Sequence, residues 1–432
     1  MNLDAIGTWL GWLLTAGYAA LVAVEALRFF RTGLAGAEQP AGLMPSMRRV
    51  PWPKVAGGVL VAFLLSRLLI ALCCAAMFRI ENQTFDGFLP ALAEKLTPWD
   101  ADHYLGIIER MYVTEGDARL HIVFLPFFPA VCRALCWLTG ASALAMAELV
   151  SNGALIAGGF AMYRLVELDG DAIVARRAVL LLMFCPLTYF FSIPYTESTF
   201  MLVTLLAVLC ARERRFGRAL LFGAMASCTR VVGLAVAIPI YWEWLRADAD
   251  AAAAKGAPNT PGAMARRAAL CAVKVLPVSA GLLIYLNVNY RLYGNPTQFM
   301  IFQRENWYQT FGSMANTFRY CLCNALGYDD MLYRFGVWWP QVLLLVAVPV
   351  LLWRRRKRER PGDTAYLLAT HYVNFAPTWL LSGARYLSGT YALYPLLARI
   401  PRTRKGFAAL LAAECALMIG MTVVGLWHAK VY

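Results

Sequence analysis

Apolar stretches as long as a membrane is thick recur along this chain. Val55 to Phe78 and Ala143 to Met162 are two of several that exceed the ~18 residues at which an apolar run is read as a bilayer-crossing helix. Of 432 residues 60% are hydrophobic and only 15% charged, and the mean hydropathy is +0.55. A soluble domain is about a quarter charged. This balance excludes a water-soluble enzyme, a disordered scaffold and a secreted disulfide framework. The expected fold is all-α and polytopic, with about twelve transmembrane helices and both termini outside.

The formal charge is +14, from 40 Lys and Arg against 26 Asp and Glu. The cations cluster beside apolar spans, where they encode orientation, and not on a basic surface suited to nucleic acid. Arg28, Arg31, Arg48, Arg49 and Lys54 face only Glu38, so that linker is expected to be cytoplasmic. Further cytoplasmic markers are Arg176 and Arg177, Arg212 to Arg218, the 246–274 linker, Arg354 to Arg360, and Arg402 to Lys405. We read these runs as solvated anchors facing lipid headgroups. Residues 80–121 are the opposite case. Glu81, Asp86, Glu94, Asp100, Asp102, Glu109, Glu115 and Asp117 outnumber Lys95, Arg110 and Arg119, which puts this long loop outside.

Residues 121–138 are apolar yet carry Pro126, Pro129 and Arg133. Two readings stand: a true span with one charged turn on the wrong side, or an interfacial or re-entrant helix on the outer face. We adopt the second, which preserves the parity of the spans. Two later segments look divided. Arg230 sits midway between Gly217 and Leu245, and Pro194-Tyr195-Thr196-Glu197 interrupts Ala178 to Cys210. An intramembrane charge faces a polar cavity or a helix break, and irregular backbone at membrane depth needs protein or water around it. Both breaks point to one outward-facing chamber.

The 11 cysteines lie mostly in apolar runs, as Cys73, Cys74, Cys210 and Cys228 do, and read as small buried hydrophobes. Cys132 with Cys136, and Cys321 with Cys323, lack nearby partner ligands, so no metal site is expected. The first apolar segment has neither a basic leader nor a small-residue cleavage site and is read as a retained helix.

The chemistry concentrates in a few places. Asp100 and Asp102 lie within the Trp99–His103 stretch of the outer loop, beside the histidine. A carboxylate at an apolar boundary suits general-base work on a hydroxyl, and Asp100 is equally placed to cap a helix continuing to Tyr112. His103 reads as a satisfied structural group or a polar contact. Glu197 is an intramembrane carboxylate beside a break. It is either functional or a salt-bridge partner for Arg230. Arg230 and Arg385 offer paired donors matched to phosphate oxygens, the plainer reading of Arg385 being snorkelling at a helix end.

At these residues the sequence resembles the PIG-V type GPI mannosyltransferase 2 family and its bacterial relatives, within the GT-C membrane glycosyltransferases. The correspondence runs from about residue 55 to about residue 400. Its motifs are Trp99-Asp100-Ala101-Asp102-His103-Tyr104-Leu105, then Phe124-Leu125-Pro126-Phe127-Phe128-Pro129. Pro186 through Ser192 to Tyr195-Thr196-Glu197-Ser198 comes next, followed by Cys228-Thr229-Arg230-Val231-Val232-Gly233. Gln303 with Trp307, and Arg385-Tyr386, complete the set. Val231-Val232 stand where the family carries a polar pair.

The resemblance implies a GT-C-like fold whose large first outer loop holds interfacial helices. It implies inverting transfer of a hexose, mannose first, from a polyprenyl-phosphate donor to a hydroxyl of a lipid or glycan acceptor on the outer face. Asp100 would be the base, while Arg230 and Arg385 would stabilise the departing phosphate. Asp102, His103 and Glu197 would orient hydroxyls. Trp99, Tyr195, Gln303, Trp307 and Tyr386 would line the substrate site, though aromatic residues at a membrane boundary also act as interfacial anchors. No metal or cofactor is expected beyond the lipid-linked co-substrate, and no nucleic-acid partner. A bacterial plasma membrane is the expected location, with the endoplasmic reticulum the eukaryotic counterpart. The expected parts are an added amino-terminal helix and linker (1–54), a catalytic membrane module (55–245, with outer loop 80–142) and a C-terminal module (246–432, with outer loop 291–335). A transporter or lipid flippase, which also uses broken helices and intramembrane charges, is the alternative.

Overall fold

The computed structural model describes residues 3–34, 50–80, 97–378 and 380–426. Residues 35–49 of the linker expected from Arg28 to Lys54, and the first part of the outer loop, 81–96, lie outside the described residues. Within them the chain is helical, with no strand and a single antiparallel bridge between Phe311 and Pro377. The first half contains α1 (Leu3–Leu34), α2 (Trp52–Ile80), α3 (Asp100–Arg110), α4 (Phe127–Thr139), α5 (Ala143–Glu167), α6 (Ala172–Met183), α7 (Glu197–Arg212) and α8 (Phe216–Thr229). The second half contains α9 (Ala237–Ala254), α10 (Pro261–Val275), α11 (Ala280–Tyr293), α12 (Gln298–Trp307), α13 (Met314–Gly327), α14 (Trp339–Arg355), α15 (Pro361–Phe375), α16 (Gly383–Ser388), α17 (Leu393–Ala398) and α18 (Arg404–Leu426).

Local chemistry sets the boundaries. Ser142 accepts from the Ala145 N–H to open α5, Asp171 accepts from Ile173 and Val174 to open α6, and Thr260 caps α10 ahead of Pro261. Gly140 and Gly294 close α4 and α11 in the left-handed conformation.

Among the described residues six helical stretches are long and apolar enough to cross a membrane: Leu3–Leu34, Trp52–Ile80, Ala143–Glu167, Pro261–Tyr293, Met331–Arg358 and Arg404–Gly425. Counting the bent pair Asp117–Val123 and Phe127–Thr139 as one span would make seven. The about twelve crossings expected from hydropathy therefore do not follow from helix length. The reason is visible in α6, α7 and α8. Each is an apolar run of 12 to 16 residues, which at 1.5 Å per residue reaches only about 24 Å at most. Moreover, α7 is buried on nearly every side by protein, as an all-apolar interior helix should be. Apolar sequence here therefore records burial in protein as well as membrane-spanning length.

Residues 121–138 contain no straight span. The chain turns through 114° between the short 3-10 helix Asp117–Val123 and α4. Arg133 donates from Nη1 to the Ile108 and Glu109 carbonyls at 2.7 Å each, closing the end of α3. Both divided segments are broken, the first over a longer stretch than Pro194 to Glu197 and with Glu197 itself opening α7. The 184–196 segment between α6 and α7 includes a 3-10 turn at Thr188–Phe191, and Arg230 is extended between α8 and a 3-10 turn at Val231–Val236. Gly233 makes the second break possible, because a Cβ there would lie 2.1 Å from the Ala226 carbonyl oxygen.

The helix α1 is integral to the bundle. It packs on α9, α13 and α15, and the Tyr18 hydroxyl donates to the Leu368 carbonyl at 2.5 Å. Opposite the end of α7 that carries Glu197, Arg212 enters a buried ion network. Asp169 meets Arg212 at 3.0 Å, Arg360 at 2.6 Å and Arg399 at 3.2 Å; Glu243 meets Arg360 at 3.0 Å; Arg212 also pairs with Asp363, and Arg399 with Glu359. This corrects the solvated-anchor reading for Arg212 and Arg360, whose side chains are enclosed and paired, whereas Arg354, Lys357 and Arg358 are exposed. Burial alone would raise the Asp169 carboxyl, but the three guanidiniums outweigh it and hold it at about 2.

Candidate active site

Four separate segments deliver charge to one place. Trp99 precedes α3 with φ 50° and ψ −111°, a backbone conformation costly for an L side chain, and it gives no side-chain cap. Asp100 opens α3, and its side chain does not cap the helix either. Its Oδ2 instead accepts from Arg385 Nη2 at 3.1 Å, across 285 residues of sequence. The strained turn is held by Tyr195, whose hydroxyl donates to the Pro98 carbonyl at 3.0 Å and accepts from the Asp100 N–H at 3.2 Å.

Glu197 begins α7 with 1% of its side chain exposed. Its Oε1 lies 3.1 Å from Arg230 Nη1 and 3.5 Å from Arg385 Nε. A carboxylate at a helix N-terminus is favoured by the exposed N–H groups and the helix dipole. The two guanidiniums are also seated on rings. Arg230 lies 4.7 Å from the Tyr386 centroid and 5.8 Å from Phe200; Arg385 lies 5.0 Å from Tyr195, 5.1 Å from Tyr386 and 5.3 Å from Phe190. Arg385 is thus enclosed and doubly paired, and does not snorkel. Phe190 and Phe200 do work that motif spacing alone did not reveal.

This cluster forms part of the wall of a cavity of about 1350 Å3. Trp99, Asp100, His103, Tyr195, Glu197, Arg230, Gln303, Trp307, Arg385 and Tyr386 all line it. His103 stacks on Phe124 at 5.1 Å and meets His121 edge-on at 5.1 Å and Trp307 at 6.3 Å. Gln303 donates to Gln309 Oε1 at 2.9 Å. Asp102 is the exception. It is exposed and absent from the cavity wall, because two residues along an α-helix turn a side chain about 200° away. Its expected role in orienting hydroxyls is not supported by this placement.

Arg304, Tyr320, Asn324, Tyr328, Tyr333, Trp338 and Asn374 also line the cavity and were not singled out from sequence. Isolated amides within apolar runs were the available signal for Asn374 and for the buried Gln341. Among the described residues, no three His, Cys, Asp or Glu side chains come together as a metal-holding group.

No family model matches the chain, and no curated protein matches it in sequence. Among solved structures, it is similar to the apo oligosaccharyltransferase of Archaeoglobus fulgidus, with 12% identity and a TM-score of 0.40 over 88% of this chain and 57% of that one. It is also similar to the AglB oligosaccharyltransferase of the same organism in complex with an inhibitory peptide and a dolichol-phosphate, with 13% identity and a TM-score of 0.42 over 88% of this chain and 56% of that one. The chain thus spans a little over half the length of either. At such identity and score the likeness assigns neither ligand nor activity to this chain, and membership of the mannosyltransferase family is not shown.

Proposed function

We propose that the chain is an inverting membrane glycosyltransferase of the GT-C type. It moves a hexose, mannose in the first instance, from a polyprenyl-phosphate donor to a hydroxyl of a lipid or glycan acceptor at the outer membrane face. The observation that carries this reading is the Asp100–Arg385–Glu197–Arg230 cluster, drawn from four segments to one cavity wall.

In the cluster as it stands, two carboxylates balance two guanidiniums. Arg230 commits only Nη1 to a hydrogen bond among the described residues, so most of its five N–H donors remain for an incoming phosphate. A lipid phosphate arriving there competes with Asp100 and Glu197 for the arginines. As Arg385 turns toward the phosphate, the Asp100 carboxylate is released from its ion pair and freed for the acceptor hydroxyl. Asp100 then takes the proton of the acceptor hydroxyl while that oxygen attacks the anomeric carbon. The bond from that carbon to the phosphate oxygen breaks on the opposite face, and its electron pair leaves with the polyprenyl phosphate. Negative charge grows on the leaving phosphate, where the guanidiniums bind the transition state more tightly than the ground state.

The deciding experiment pairs lipid mass spectrometry of a deletion strain with transfer assays on purified protein. An acceptor lacking one hexose accumulates in the strain, and wild-type protein with a polyprenyl-phosphate hexose restores it. Lipid movement in proteoliposomes without any sugar transfer would instead establish the transporter reading.

A further inference from the structure

A further group of cavity-wall residues, taken together as a second wing, comprises Tyr320 on α13, Tyr328, Tyr333 and Trp338, and Asn374 at the end of α15. At about 1350 Å3 the whole cavity exceeds the ~300–1,000 Å3 of a typical small-ligand site. It has room beyond the reacting sugar and phosphate. The rings of this wing are linked by successive ring contacts. Tyr320 meets Trp338 edge-on at 5.2 Å, Tyr328 lies 6.1 Å from Trp338, and Tyr333 lies 5.5 Å from Tyr328.

Two donors in the same wall are unsatisfied. Trp338 Nε1 and Asn374 Nδ2 are buried, their residues 2% and 5% exposed, and neither has a hydrogen-bond partner among the described residues. Buried donors ordinarily find partners. Trp338 also ends a five-residue π-helical turn, Arg334–Trp338, an uncommon conformation that recurs at functional sites. The wing and the charged cluster share a support. Gln341, on the helix following that turn, donates to the Leu380 carbonyl at 3.1 Å and accepts from the Gly383 N–H at 3.3 Å, fixing the start of the helix that carries Arg385.

We infer that this wing is a carbohydrate-binding subsite that holds the sugar portion of the acceptor. A pyranose ring has an apolar C–H face to lie on aromatic rings and hydroxyls to accept from an indole and an amide N–H. A prenyl tail would leave both donors unpaired. The inference rests on the glycosyl-transfer reading for its choice of ligand as acceptor.

The test uses the full chain in nanodiscs, with mannobiose and maltose as glycan probes and farnesyl phosphate as the lipid-phosphate probe, followed by saturation-transfer NMR and competition. At least one disaccharide binds the wild type. Trp338→Phe and Asn374→Ala each weaken it about three- to tenfold, the range for one lost hydrogen bond, and leave farnesyl phosphate within twofold. If one variant fails to fold, the other still decides. Failure of both disaccharides to bind wild-type protein, or variants that leave disaccharide affinity unchanged, would overturn the subsite. Weakening of farnesyl phosphate instead would overturn it in favour of a tail groove. Farnesyl phosphate failing to bind the wild type counts against the transferase reading alone, because disaccharide binding in this wing is measured separately.

Discussion

Arg385 is the residue on which the two carboxylates of the cavity converge, and the consequences of substitution differ on either side of it. Replacing Asp100 by Asn preserves shape and removes the proton acceptor. Hexose transfer should fall by about 10²–10⁴-fold in a radiolabelled-donor assay, with donor binding largely retained. Transfer surviving within a few-fold would remove Asp100 from the base role. Replacing Arg230 by Gln leaves Glu197, which is 1% exposed, with less compensation. The single variant should lose about 3–5 kcal/mol of stability, as broken buried pairs do, and the Arg230→Gln/Glu197→Gln double variant should recover part of it in thermal unfolding. Lys at 230 should not rescue donor affinity, since the planar guanidinium seated over Tyr386 is what offers paired donors. Sequence made these residues visible because charges inside apolar runs are conspicuous. It could not show that Asp100 meets Arg385 and leaves the helix uncapped, because that contact depends on the packing of segments far apart in the chain.

At the scale of elements, the two broken segments govern the site. Pro194 and Arg230 made both legible, one by forbidding a continuous helix and the other by its cost in lipid. The number of crossings was not legible, since hydropathy cannot tell the protein-enclosed α7 from the lipid-exposed face of α2. The π-helical turn before α14 was likewise silent in sequence, as nothing in Arg334–Trp338 distinguishes i→i+5 hydrogen bonding from i→i+4. The break after α8 yields a sharp test. Gly233→Val would set side-chain atoms against the Ala226 carbonyl, where a Cβ alone would lie at 2.1 Å. This variant should lose donor binding and unfold at lower temperature than wild type, whereas Gly217→Ala, with open space around it, should behave as wild type in both assays.

Across the whole molecule, the buried ion network beneath the bundle sets a pH dependence of stability. The Asp169 carboxyl is held at about 2, below its ordinary 3.8. A depressed folded-state value means its contribution is present above pH 3.8 and is lost as pH falls through 2. The difference corresponds to about 2 kcal/mol. Thermal unfolding should therefore show Asp169→Asn clearly less stable at neutral pH, with the gap to wild type narrowing from pH 5 to pH 2. A gap independent of pH would mean that the arginines do not hold this carboxylate charged.

The α7 helix carries a cavity carboxylate on its first residue and a network guanidinium on its last, about 22 Å apart at helical rise. That part of the chamber wall consequently has no foundation of its own; it stands on a strut moored in the buried ion network at the helix's far end. Loosening that mooring should misalign Glu197 without touching any group that a substrate would meet.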